Sequence, residues 1–303
     1  MTQLRYHKDM TENPSASAIF TRRRLLTAGF TGALGLGLYA GEGERHWIDL
    51  TQRTFSIPGL PEAFHGFRIV QLSDIHLKAW TEEFFLRDAV GRINALQPDA
   101  VFLTGDFISE APDSPLFPIQ CAWKCAEILR SLTCPHVYGI LGNHDCIAGP
   151  DEVARALTEN RVQMLRNASL PIERNGARFW LAGVDDPLKG NPEPGAAIPE
   201  RIRNLPAEPV ILMCHCPDFA DDLLATPAGQ AVRLMLSGHT HGGQVRMPFV
   251  GPISLPELGR KYVEGHFQFG NLQLYVNRGI GTVGVPFRFD CRPEITEITL
   301  RRA

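Results

Sequence analysis

Seven side chains able to bind a hard or borderline metal ion recur along the chain, each just after an apolar run. Asp74 and His76 close "FRIVQLSDIH", Asp106 closes "AVFLTGD", and Asn143 opens "NHD" after "HVYGILG". His215 follows "PVILMC", and His239 and His241 end "VRLMLSGHTHGG". In extended backbone, side chains at i and i+2 share a face, so His239 and His241 can turn their rings the same way. Any of these histidines taken singly is more often structural than a ligand. Together they form a set of carboxylates, imidazoles and one amide oxygen, which suits manganese, iron or zinc without choosing among them. Seven donors are too many for one ion. They suit two ions that share a carboxylate.

The elements that must position these residues alternate in type. Strands are expected at Phe67 to Asp74, Ala100 to Asp106, in "HVYGILGNHD", and in "RFWLAGVDD", "PVILMCHCPD" and "VRLMLSGHTH". Late strands are expected in "LQLYVNRG" and "EITEITLR". Phe85, Leu86, Ala89, Val90, Ile93 and Leu96 recur at helical spacing, and further helices are read around Ile119 to Leu132 and from Asp151 to Glu159. The early half reads strand–helix, and the later half is richer in strands joined by Gly/Pro loops. This describes an α/β protein whose ligands collect at the carboxyl ends of strands.

The chain has 303 residues, 44% hydrophobic and 21% charged, with a net charge of −3. That is ordinary globular composition, and no strong field favours nucleic acid as a partner. The N-terminus departs from it. Arg22, Arg23 and Arg24 precede an uncharged, glycine-rich stretch from Leu25 to Ala40, the layout of a signal peptide. "TRRRLL" after a long polar lead resembles a twin-arginine export signal. Residues 1–45 are therefore read as that signal or as a retained membrane anchor, and 46–303 as the functional domain. The expected partner is the twin-arginine export machinery. The expected place is the periplasm or the outer face of the inner membrane, the alternative being an anchored domain that faces the cytoplasm. Seven cysteines, an odd number, make no tidy disulfide framework and read as buried thiols, Cys214 and Cys216 among them.

In order, the motifs resemble those of the calcineurin-like metallophosphoesterase superfamily, which run DxH, GDxx(D/E), GNH(D/E), H and GHxH. The resemblance covers Phe67 to His241 and all five blocks. It implies a four-layer αββα sandwich with a dimetal site at the strand ends. It implies that Asp74, His76 and His241 hold the first ion, that Asn143, His215 and His239 hold the second, and that Asp106 bridges them. His144 would be the catalytic residue at the leaving oxygen, oriented by Asp145. The sequence departs from the pattern once: "GDFIS" has Ser109 where the family has an acid, which puts support behind a ligand in doubt.

The implied substrate is a phosphate ester. The export signal, "GHTHGGQ" and "NRGIGTVGVPFRF" resemble an exported or membrane-bound bacterial branch whose relatives include UDP-2,3-diacylglucosamine pyrophosphatases. A phosphodiester or pyrophosphate bond, lipid-linked or in a nucleotide sugar, is the first expectation, with membrane lipid as a partner. That lipid precursor is cytoplasmic, whereas the signal points outward, and only an anchor reading reconciles the two. A phosphomonoesterase or phosphoprotein phosphatase is the alternative. A non-catalytic scaffold would have eroded motifs, above all at His144, and here they are intact. Loops 109–120 and 246–289 are the expected substrate walls. Among Arg260, Lys261, Arg278 and Arg288 on the second, Arg278 is the first candidate for a phosphate contact. His7, His46, His65, His136 and His266 have no motif context.

Overall fold

The computed structural model describes residues 22–78, 83–110, 116–205 and 207–303. His7, Thr21 and the polar lead, and residues 111–115 of the loop after Asp106, lie outside the described residues. The chain divides into two units, Met1–Tyr39 and Ala40–Ala303. In the first, Arg22–Leu38 forms helix α1, with Leu25, Leu26, Phe30, Leu34, Leu36 and Leu38 exposed. Among the described residues no helix is long and apolar enough to cross a membrane.

The second unit begins at Ala40, so residues 40–45 pack with the body, and Glu44 and Arg45 are buried in it. It runs through β1 (Asp49–Ile57), β2 (Arg68–Leu72), α2 (Glu83–Leu96), β3 (Ala100–Leu103), α3 (Leu116–Leu129), β4 (Val137–Gly139), α4 (Asn143–Ala148), α5 (Pro150–Glu159) and β5 (Gln163–Met164). It continues through β6 (Ala168–Arg174), β7 (Ala177–Gly183), the short helices α6 (Pro194–Ala197) and α7 (Glu200–Arg203), β8 (Val210–Met213), α8 (Ala220–Leu224) and β9 (Val232–Ser237). A hairpin of β10 (Arg246–Met247) and β11 (Gly251–Pro252) precedes β12 (Gly265–Phe269), β13 (Leu272–Val276) and β14 (Glu294–Arg302).

Two six-stranded sheets result, in the orders β1-β14-β2-β3-β4-β5 and β12-β13-β9-β8-β7-β6. β2 to β5 run parallel to one another, as do β7, β8, β9 and β13. The two sheets pack face to face over a core that includes Phe55, Phe102, Phe179, Ile211 and Leu234. α2, α3 and α5 cover the outer face of the first sheet, and α6, α7 and α8 cover that of the second. The architecture is the expected αββα sandwich. α2 buries Phe85, Leu86, Ala89, Val90 and Ile93, one stripe at helical spacing. α3 lies three residues earlier than its apolar pattern suggests, and Leu132 closes the turn after it through Leu132 N–H to Leu129 O.

Candidate metal centre

The two sheets bring their carboxyl ends together, and the motif residues sit in the turns that leave them. Asp74 and His76 follow β2, Asp106 follows β3, and Asn143 opens α4 after β4. From the other sheet, His215 follows β8, and His239 and His241 follow β9. Asp74, His76, Asp106, His239 and His241 all have left-handed backbone, with φ of 49°, 48°, 54°, 74° and 51°. For non-glycine residues this conformation costs roughly 1–3 kcal/mol each, and it persists where the surroundings over-determine it. The surroundings here include glycines that nothing else can replace. A Cβ at Gly142 would lie 2.2 Å from Asp106 Oδ1, and one at Gly238 would lie 2.3 Å from Asp74 Oδ2.

The side chains form three overlapping groups whose donor atoms lie within 4.8 Å of one another: Asp74–His76–His241, His76–Asp106–His144 and Asp106–His215–His239. Asp106 stands at the junction. Its Oδ2 lies 3.4 Å from His76 Nε2 and 3.1 Å from His215 Nε2, while its Oδ1 accepts the His144 backbone N–H at 2.9 Å. Asp74 Oδ1 lies 3.4 Å from His241 Nε2, and both its oxygens accept the His239 N–H.

Each ligand-type imidazole has one nitrogen held from outside the cluster. His215 Nδ1–H donates to Thr104 O at 2.7 Å, and His239 Nε2–H donates to Glu257 O at 2.7 Å. His76 Nδ1 meets Ser109 Oγ at 3.1 Å, and His241 Nδ1 lies 3.4 Å from the Arg288 guanidinium. The other nitrogen faces inward, the way outer partners orient metal-binding histidines. Asn143 Oδ1 and His215 Nε2 are buried without a hydrogen-bond partner among the described residues, although His215 Nε2 lies close to Asp106. Buried polar atoms are rarely left unpaired. Converging carboxylates and imidazoles with orphaned donor atoms fit two divalent ions.

Electrostatics point the same way. Burial holds His76 and His241 well below the ordinary imidazole range, and the Arg288 charge adds to this for His241. Burial also lowers His239. For His215 burial opposes the charge, but Asp106 outweighs it and raises the ring well above the usual range. Burial likewise opposes ionisation of Asp106, and the facing His215 and His76 rings overcome it and hold the carboxyl far below the carboxylate range. Neutral rings at His76, His239 and His241 beside a committed carboxylate are what a cation requires, and the proton that Asp106 favours on His215 would leave as an ion binds there.

Two expectations about neighbouring residues fail. Asp145 does not orient His144. At the third position of α4 it folds back instead, so Oδ2 accepts the Gly142 N–H and Oδ1 accepts those of Phe107 and Ile108. The carboxylate on the His144 ring is Glu110, paired with Nδ1, one residue beyond the missing acid of the GDxx(D/E) pattern. Ser109, at that position, supports His76 with its hydroxyl. Arg278 is not free for phosphate either: its guanidinium pairs with Glu294 at 3.1 Å, Asp49 at 3.3 Å and Glu264 at 3.8 Å. Arg288 is fully buried and donates to the carbonyls of Arg278, Gly279, Gly281 and Cys291. Lys261 pairs with Asp221. Arg260 is exposed and follows Gly259, where a Cβ would lie 3.2 Å from the His239 ring. All seven cysteines are free thiols, six of them buried.

Fold and donor set together define a dinuclear metallohydrolase. The chain belongs to the calcineurin-like phosphoesterase family, whose model matches residues 67–243. It is 37% identical to an uncharacterized metallophosphoesterase, YkuE of Bacillus subtilis, over 92% of this chain and 97% of the relative. It is 28% identical to the phosphodiesterase YaeI of Escherichia coli over 93% of this chain and 100% of the relative. It is 26% identical to the UDP-2,3-diacylglucosamine pyrophosphatase LpxG of Chlamydia trachomatis over 85% and 91%. The protein is accordingly a hydrolase, a phosphoesterase that works with two divalent metal ions.

Proposed function

We propose that the protein cleaves a phosphodiester or pyrophosphate bond in a lipid-linked or nucleotide-sugar substrate at the cell envelope. The observation that carries this reading is the convergence of Asp74, His76, His215, His239 and His241 around Asp106, with His144 beside them at the mouth. Asp74, His76 and His241 would hold one ion, Asn143, His215 and His239 the other, and Asp106 both. Two ions there would supply Lewis acidity toward the phosphoryl oxygens and make water nucleophilic near neutral pH. His144 lies edge-on to His76 with ring centroids 4.7 Å apart, and its side chain keeps 15% exposure. With Nδ1 taken by Glu110, its Nε2 is free to give a proton to the departing oxygen. The relatives named as a phosphodiesterase and a lipid-precursor pyrophosphatase support a diester or anhydride over a monoester.

The test loads the full chain with manganese and follows bis(p-nitrophenyl) phosphate hydrolysis and UMP release from UDP-2,3-diacylglucosamine. Diester hydrolysis should fall by about 10²- to 10⁴-fold in His144→Ala with metal content unchanged. An inert wild type carrying both ions would sink the reading. UMP release would assign the lipid precursor itself. Diester cleavage without it would keep the bond class and exclude that lipid precursor.

A further inference from the structure

Two uncharged loops leave the metal centre. One is the β10–β11 hairpin and its continuation, "MPFVGPISLP" (residues 247–256), and the other is "GIGTVGVPF" (279–287). Met247, Phe249, Val250 and Ile253 on the first, and Val285 and Phe287 on the second, are exposed. Phe249 is wholly exposed and stands in left-handed backbone, φ 66°. Neither solvent nor local geometry favours an aromatic there. The loops are neighbours: the Gln244 side chain, at the base of the hairpin, donates to Val283 O and Val285 O and accepts the Val283 N–H. Gln244 is itself three residues beyond His241.

The second loop also receives the start of the body. The Arg288 N–H donates to Ala40 O, Arg45 donates to Pro286 O, and a Cβ at Gly41 would strike the Phe287 ring. Ala40 is where the uncharged stretch from Leu25 ends. Farther along the same two segments, exposed Trp47 is stacked by Arg292 at 3.7 Å. The uncharged, leucine- and glycine-rich stretch therefore joins the body at the loops that expose apolar side chains. Large exposed apolar patches mark interaction surfaces, and aromatic side chains beside a lipophilic segment suit the level of lipid headgroups.

We propose that the β10–β11 tip and the 283–287 loop form a bilayer-contacting surface that sets the mouth of the metal centre against the lipid headgroups. A second weak membrane contact complements a helix too short to span, since stable anchoring takes two signals. The inference rests on the envelope reading above and adds the surface that would present lipid-borne phosphate to the site.

The test uses the full chain with one introduced cysteine, Val250→Cys or, at the end of the second sheet away from the site, Glu173→Cys. Glu173 is exposed beside the β6–β7 turn, and the native thiols are buried or half-buried. Each variant carries a fluorophore and is mixed with phosphatidylethanolamine–phosphatidylglycerol vesicles that contain a doxyl-lipid quencher. Quenching several-fold stronger at position 250 than at 173 is expected. Equal quenching, or none at 250, overturns the proposal. A spectral shift at 250 that needs no vesicles and grows with protein concentration also overturns it and assigns the patch to a second copy of the chain. Manganese-dependent diester hydrolysis in the same samples reports on the site separately: an active chain that is not quenched sinks the surface alone, and a quenched but inert chain sinks the diester reading alone.

Discussion

His144 and His76 depend on two adjacent residues of one turn. Ser109 holds His76 from behind, and Glu110 holds His144. Ser109→Ala should weaken metal binding by about 10- to 100-fold, as loss of a ligand's outer partner does, which a metal titration reads directly. Glu110 should act only through His144. Glu110→Gln should lower turnover less than His144→Ala, and the double variant should be no slower than His144→Ala alone, because the two residues form one unit. The motif residues were legible because each follows an apolar run and keeps the family's order. Their supports were not. Glu110 is one position out of register with the pattern, Arg288 looks like any loop cation until its burial is seen, and the partners of His215 and His239 are backbone carbonyls with no sequence signature.

Among the elements, the interior strands were readable and the edges were not. β2, β3, β4 and β14 in one sheet, and β7, β8, β9 and β13 in the other, are flanked on both sides, and all but β14, with its spaced Ile295 and Ile298, appear as largely apolar runs. In these two sheets the unread strands, β1, β5, β6 and β12, are the edges. β1 leaves most of "DLTQRTFSI" at least partly exposed, and β6 contains Pro171, both typical of edges. The turn after β13 carries the element-scale prediction. Arg278 neutralises Glu294, which is buried and also accepts the Tyr275 hydroxyl at 2.6 Å. Burial alone would raise the Glu294 pKa, but Arg278 holds it below the ordinary value. A depressed carboxyl contributes stability above its unfolded pKa and loses it as pH falls through the folded one. Arg278→Ala should therefore cost about 3 kcal/mol near neutral pH and progressively less in acid, as urea unfolding would show. Diester turnover per folded molecule should not change.

At the scale of the whole molecule, the centre is a seam between two sheets, and with the proposed ligands the ions would be its fasteners. Removing them leaves buried carboxylates and imidazoles without their common partner. Ligation at about a hundred times the dissociation constant adds about 2.7 kcal/mol, so chelation should lower the melting temperature by about 5–10 °C. An unchanged melting curve would argue against ions shared across the sheets. The expected N-terminal signal rests on composition and the arginine motif alone; export machinery would read it from outside the chain, so no contact within the fold reports on it. Replacing Arg22 and Arg23 with lysine should retain the protein in the cytoplasm, measured by fractionation. Normal export of that variant would sink the twin-arginine assignment.

The left-handed backbone at Asp74, His76, Asp106, His239 and His241 sets folding and chemistry at odds. Glycine would relax each of these positions by about 1 kcal/mol or more, and glycine cannot bind a metal. A mutant library selected only for soluble, stable protein should drift toward glycine there. The same library selected for hydrolysis should keep the native five. Inheritance of this fold is thus policed at these positions by what the protein does, against what would make it easiest to build.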